Sequence, residues 1–154
     1  DRKEKRLSRC LSLQVYYAWI LSETHPKEIL DYIHTLLNSK EESVFFNDNV
    51  SNDIINNTYK LVELTIQKCD EVDNYISSKL KNWDLKRIAL IDKLILRLSI
   101  TEMIFFNEVP PKVSIVEGVE IGKIFGNNDS SAFINGVLDS IYNDLEKNKI
   151  VSKK

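Results

Sequence analysis

The sequence predicts an all-α fold: a compact bundle of about seven helices, arranged as two helical subdomains around one buried central helix. Three observations carry that expectation. Apolar residues recur at three- and four-residue spacing through most of the chain, the period of one face of an α-helix. Four Gly and three Pro in 154 residues leave little material for the turns of an all-β protein. The stretch from Asp84 to Asn107 contains neither residue and is apolar around most of its circumference, as suits a helix contacted on several sides. Its polar side chains fall mainly on one narrow stripe, Lys86, Lys93, Arg97 and Thr101, with Asp92 and Glu102 at the margins. Asp84 is placed to cap its first turn, and Arg97 reads as structural. Charges at Asp92, Lys93 and Arg97 interrupt the stretch too often for a membrane span.

The first helix spans residues 1–22, with Leu7, Leu11, Val15, Ala18 and Leu21 at helical spacing and Ser22, Thr24, His25 and Pro26 closing it. Its first turns set Arg2, Lys3, Lys5, Arg6 and Arg9 against Asp1 and Glu4, and Arg2, Arg6 and Arg9 share a face. Cations at a helix N-terminus run against its dipole. Their placement points to a partner; a frayed, solvated terminus is the alternative.

A second helix over 26–39 carries Pro26 in its first turn and Ile29, Ile33, Leu36 and Leu37 inward. Residues 40–50 read as a long loop with Val44, Phe45 and Phe46 tucked under the bundle. From Ser51 to about Lys81, positions such as Ile54, Leu61, Val62, Val72 and Ile76 fit one long helix or two in tandem. A break near Cys69–Glu71 divides the chain into an N-terminal half of about 1–69 and a C-terminal half of about 70–146. Trp83 leads into the central helix.

After Asn107, Val109-Pro110-Pro111 stops one helix and prepares the next. Ser114-x-x-Glu117 reads as a capping box, which places that helix from about Ile115 to Ile124 or Phe125, with Gly126 supplying the turn. Gly118 and Gly122 inside it cost roughly 1 kcal/mol each relative to Ala, which implies the close approach of another backbone. Asn127, Asn128 and Asp129 form a loop with Asp129 as N-cap. The last helix, Ser130 to about Glu146, turns Phe133, Ile134, Val137, Leu138 and Ile141 inward or to its edge. Residues 147–154 are polar and expected to be disordered.

Little in this chain suggests catalysis. His25 and His34 share no metal-ligand spacing with Cys, Asp or Glu. Asp70-Glu71-x-Asp73 reads as a solvated face. No glycine-rich phosphate loop and no nucleophile motif is present. Cys10 and Cys69 stand far apart without a CxxC spacing, as reduced thiols do. No signal peptide or lipidation pattern is seen. The expectation is therefore a cytoplasmic protein that is not an enzyme and needs no cofactor or metal. The net charge of -2 by itself gives no support for nucleic acid; the distribution of charge matters more.

From Trp83 onward the pattern becomes specific: W-D-x-x-R-I-A-x-I-D-K-x-I-L-R-L over 83–98, T-E-M-I over 101–104, V-P-P-K-V-S-I-x-E-G-V-E-I-G-K-x-F-G over 109–126, and D-S-S-x-F-I-N-G-V-L-D over 129–139. These motifs strongly resemble the NusB family of bacterial transcription antitermination factors. The segment R-x-x-R-x-x-x-x-Q-V-Y-Y-A-W-x-L-S over 6–22 looks like that family's arginine-rich first helix.

The resemblance implies a small all-α fold that binds the single-stranded boxA element of nascent ribosomal RNA leaders together with NusE, a small-subunit ribosomal protein. The pair joins other Nus factors on RNA polymerase, and no reaction is catalysed. Carried onto this chain, it implies that Arg2, Lys3, Lys5, Arg6 and Arg9 hold phosphates. Lys123, Phe125, Asp129, Ser130 and Phe133 cluster around the loop between the last two helices, with Phe125 and Phe133 as stacking surface and Asp129 and Ser130 on base edges. Tyr17 and Asp92 match positions that face NusE.

The chain also departs from the family. Val116-Glu117-Gly118 stands where Asn-Glu-Ala is common, and Gly122 where Ala is. Leu7 interrupts the basic helix, Glu4 dilutes it, and Ala132 replaces a frequent basic residue. Weaker intrinsic RNA binding, with heavier reliance on NusE, is expected. Two other readings remain: a NusB-like module ahead of an rRNA cytosine methyltransferase domain, or a bundle that binds only proteins. Some relatives also pair as homodimers through the first helix.

Overall fold

The computed structural model describes residues 2–38, 50–80 and 85–151, except for the side chains of residues 33, 34 and 36–38. The expected placements of Ile33, Leu36, Leu37, Val44, Phe45, Phe46, Trp83 and Asp84 lie outside that description. Seven α-helices appear in order, with no strand among the described residues: α1 (Arg2–Ser22), α2 (Pro26–Asn38), α3 (Asn52–Gln67), α4 (Cys69–Ser77), α5 (Leu90–Phe105), α6 (Pro111–Phe125) and α7 (Ser130–Lys147), with a 3-10 turn at Leu85–Arg87. The fold is all-α, as the periodicity predicts. The chain resolves into two units, Asp1–Glu63 and Leu64–Lys154. Their boundary falls inside α3, and the helix break itself follows at Lys68.

In the first unit α1 packs on α2. Leu11, Leu13, Val15, Tyr16, Leu30, Ile54, Leu61 and Val62 are buried, which removes their apolar area from water. Buried hydroxyls find partners both along α1 and across to α3. Ser12 Oγ donates to the Ser8 carbonyl at 2.8 Å, and Ser8 and Thr58 hydroxyls meet at 3.2 Å. α1 ends where Glu23 turns left-handed (φ 56) and its N–H bonds the Trp19 carbonyl at 2.8 Å. At the start of α2, His25 Nδ1 accepts the Lys27 N–H at 3.2 Å, a capping role rather than a metal-binding one. Leu21, placed inward by its spacing, is 63% exposed. It lies in the last turn of α1, past the residues that α1 buries.

The second unit is built on α5, which packs against α4, α6 and α7. Its Leu94, Ile95, Leu96, Leu98, Ile100 and Met103 are buried. This helix is shorter than its sequence suggests: 16 residues, about 24 Å. The backbone at Ala89 is extended (ψ 138), which separates α5 from the 3-10 turn, and no side chain caps it. Of the expected polar stripe Lys86 is exposed and Lys93 and Arg97 are half-buried, while Thr101 and the marginal Asp92 and Glu102 are internal. Thr101 donates to the Arg97 carbonyl at 2.7 Å, and Glu102 Oε1 accepts the Ser114 hydroxyl at 2.7 Å. Asp73, read as part of a solvated acidic run, pairs with Arg97; Asp70 and Glu71 are exposed.

The Ser114–Glu102 bond explains why the capping-box reading fails. α6 begins at Pro111, four residues earlier than expected, because proline suits the first turn. Ser114 is then inside the helix, 1% exposed, with its hydroxyl committed to α5. The glycines of α6 accommodate side chains more than backbone. A Cβ on Gly118 would lie 2.6 Å from Ser99 Oγ, and one on Gly122 would lie 2.8 Å from Ile134 Cδ1. At the C-terminus, residues 148–151 close α7 instead of trailing from it. Lys149 adopts φ 58, its N–H bonds the Glu146 carbonyl, and the Ile150 N–H bonds that of Leu145 at 2.9 Å.

Candidate functional site

On the first unit, Arg2, Lys3 and Lys5 are exposed at the start of α1, and Arg6 and Arg9 are half-buried. Lys3, Arg6 and Arg9 each take part in an interaction within the chain. Farther along α1, Tyr17 is 37% exposed, one turn before Leu21. Both present apolar surface to solvent. α2 adds Tyr32, 66% exposed, which no spacing argument singled out. Tyr59 in α3 sits beside His25, ring centroids 6.4 Å apart. Burial first, then hydrogen bonding to Glu63 and that group's charge, holds its phenol above the usual 10.0.

On the second unit, the α6–α7 loop is fixed by one asparagine and one serine. The Asn127 N–H donates to Ser130 Oγ at 2.9 Å, and Asn127 Oδ1 accepts the Asp129 N–H at 2.9 Å. The Ser130 N–H returns to the Asn127 carbonyl at 3.2 Å, and the Phe133 N–H bonds the Asp129 carbonyl at 3.1 Å. These bonds form a side-chain-supported turn that starts α7. Gly126 permits it, since a Cβ there would meet the Ser130 side chain and, at 2.7 Å, the Gly122 carbonyl.

This geometry reassigns two of the loop residues. Asp129 stands at the N-cap position but makes no side-chain cap bond, so its carboxylate is left facing solvent. Ser130 is 0% exposed with its hydroxyl committed to Asn127; it shapes the loop rather than offering an edge contact. Asn127 is the residue that sequence reasoning missed; its signal is the Asn-x-x-Ser spacing of a local turn. Lys123 is exposed and meets Glu120 Oε1 at 3.1 Å, a surface pair worth little. Phe125 and Phe133 are half-buried.

Asp92 occupies the first turn of α5. It is 6% exposed, and its Oδ1 has no hydrogen-bond partner among the described residues. Buried polar atoms rarely stay unpaired, and Asp92 is an exception among the described residues. Among the described residues, no group of His, Cys, Asp and Glu could hold a metal ion. No described helix is long and apolar enough to cross a membrane.

Comparison with known proteins adds the following. Residues 6–143 match the NusB family. The chain is 35% identical over 144 residues to the transcription antitermination protein NusB of Bacillus pumilus, covering 94% of this chain and 98% of that one. It is 40% identical over 95 residues to the NusB of Chloroherpeton thalassium, covering 62% of this chain and 45% of that one. Among solved structures, NusB of T. maritima superposes with a TM-score of 0.73 at 24% identity, covering 94% of this chain and 92% of that one. A chain from a crystal structure of the antitermination factors NusB and NusE in complex with double-stranded RNA gives 0.73 at 24% identity, covering 94% and 99%.

Proposed function

This chain belongs to the NusB family of transcription antitermination proteins, and from that premise we propose that it binds the single-stranded boxA element of nascent rRNA leaders together with NusE. It is a non-enzymatic antitermination factor. The relatives it matches carry the antitermination name, which favours this reading over a methyltransferase module or a bundle that binds only proteins. In this proposal the protein works in the cytoplasm, where the RNA-bound pair joins other Nus factors on RNA polymerase.

One observation carries the RNA reading: Asn127 and Ser130 hold the α6–α7 loop rigid while Phe125, Phe133, Lys123 and Asp129 keep solvent-facing surface around it. Single-stranded RNA is recognised by unstacked bases lying on aromatic rings, with polar groups at their edges. Phe125 and Phe133 supply ring surface, Asp129 a base-edge acceptor and Lys123 a cation. The first unit supplies Arg2, Lys3, Lys5, Arg6 and Arg9 for phosphates. Tyr17 and Asp92 are the contacts to NusE. The apolar Tyr17 suits a protein surface, and the unpartnered Asp92 oxygen suits a basic side chain of that ribosomal protein.

The test is a titration of labelled boxA RNA with the chain, alone and with NusE, at two salt concentrations. Arg6→Ala with Arg9→Ala should weaken binding and flatten the salt slope by roughly 1.4, at about 0.7 per phosphate contact on a single strand. Unchanged binding defeats the assignment. Affinity should rise when NusE is present; equal values defeat the expected reliance on the partner.

A further inference from the structure

Away from the loop, α6 and α7 leave an open groove of about 500 Å³, a volume within the ~300–1,000 Å³ range of ligand sites. Lys112, Ile115 and Val116 line it from α6; Asp139, Tyr142 and Glu146, with two asparagines, line it from α7. Val116 is 50% exposed, and nearby Val113 is 40% exposed. None of these residues has been assigned a part in RNA or NusE binding.

Two independent features single the groove out. Asp139 and Glu146 stand two turns apart on one face of α7, and neither makes an ion pair among the described residues. Their neighbour Asp144 does, with Lys79. Between them lies Tyr142, 6% exposed, whose hydroxyl has no hydrogen-bond partner among the described residues. The Glu146 carboxylate and then burial hold that phenol above its usual 10.0. The pair's geometry still falls short of a hydrogen bond, so the hydroxyl keeps its capacity. The groove thus joins a buried phenol, two carboxylates without an ion pair among the described residues and an exposed apolar ledge.

We propose that this groove docks a basic peptide segment of a partner protein, seating an arginine or lysine side chain between Asp139 and Glu146 over Tyr142, with an apolar neighbour on Val116. A cation held between two carboxylates makes charge-assisted hydrogen bonds. Lys112, on the opposite wall, takes a carbonyl of the same segment. A nucleic-acid backbone is disfavoured, because two carboxylates repel phosphate and one lysine does not offset them. Val116 lies about 13 Å along α6 from Phe125, so a guest here leaves the loop open. The proposal stands apart from the RNA reading.

The test is amide NMR of the full chain titrated with the tripeptide acetyl-Arg-Leu-Arg-amide. Amides of Val116, Asp139, Tyr142 and Asn143 should shift. Asp139→Asn with Glu146→Gln should raise the dissociation constant at least tenfold; Asp139 is exposed and Glu146 half-buried, and the spectra themselves report that the fold is kept. The control Glu23→Gln with Glu108→Gln, which removes the same charge at exposed sites elsewhere, should change it less than twofold. Equal weakening in both double variants overturns the proposal, as do shifts confined to other residues. The same amides shifting with boxA RNA would make this a nucleic-acid surface and also overturn it. Binding that appears only after deletion of residues 152–154 would assign the groove to the chain's own lysines, with the same consequence.

Discussion

Arg97 donates through Nε and Nη2 to Oδ1 and Oδ2 of Asp73, each at 2.8 Å, and so ties α5 to α4 by a two-pronged ion pair. The side chains are 12% and 20% exposed, so solvent screens the pair only in part. Cys69 Sγ approaches the same carboxylate at 3.7 Å. Lysine cannot reproduce the planar fork. Arg97→Lys should therefore lower the unfolding free energy by about 1–3 kcal/mol, seen as a lower urea midpoint with an unchanged denaturant slope. A loss under about 0.5 kcal/mol would show that the pair contributes no more than an ordinary surface bridge.

Gly126 is needed for space, not for an unusual backbone: φ -90, ψ -171 is open to any residue. Gly126→Ala should cost about 1–3 kcal/mol by forcing Ser130 off Asn127, and it should weaken boxA binding if the loop is the RNA surface. Ser130→Ala alone removes a hydrogen bond worth about 1 kcal/mol. Because the two side chains compete for one volume, the double variant should lose at least about 0.5 kcal/mol less than the sum. Strict additivity in urea melts would contradict this account of the loop.

What was legible in the sequence follows from range. Helix number, the buried character of α5 and the structural role of Arg97 all follow from local periodicity. Asp73 looked solvated because its partner lies on another helix, and nothing local announces that pairing. Ser114 failed in the same way: its capping-box spacing is real, but tertiary contact with Glu102 and the preference of Pro111 for a first turn decided where α6 begins. For the loop, the residue types were readable but their roles were exchanged. Ser130 turned inward, Asn127 took over the turn that leads into α7, and Asp129 was left to solvent.

Lys149 closes α7 in the left-handed region at φ 58, where a Cβ costs roughly 1–2 kcal/mol that glycine avoids. Glycine's freer unfolded chain cancels part of that gain. Lys149→Gly should raise stability by about 0.5–1 kcal/mol in thermal melts. A decrease would mean that the Lys149 side chain contributes more than its backbone costs.

The phenols of Tyr59 and Tyr142 both titrate above their unfolded value of 10.0. Folding thus favours their protonated form. That contribution is fully present below pH 10 and is lost as pH rises through the folded values. Tyr59→Phe with Tyr142→Phe should flatten the alkaline loss of stability above pH 10 and leave the pH 6–8 range unaltered in shape. An unchanged alkaline limb would place its origin in other groups, such as lysines.

Asp92 separates a binding role from a structural one. Its place in the first turn of α5 lets the helix dipole favour a carboxylate by about 0.3–1 kcal/mol. Its buried, unpartnered Oδ1 costs about 1–3 kcal/mol in the other direction. Asp92→Ala removes both, so the isolated chain should stay within roughly 1 kcal/mol of its parent stability or gain slightly. A basic group of NusE seated on that oxygen, by contrast, would lose its counter-charge. NusE affinity should then fall at least tenfold, about 1.4 kcal/mol, with helicity unchanged. An internal structural role predicts the opposite pattern: an unfolding free energy lowered by more than about 2 kcal/mol, with NusE binding intact in the molecules that remain folded. Titrating NusE against the variant alongside its urea melt decides between them, because only contact with the partner makes affinity fall while stability holds.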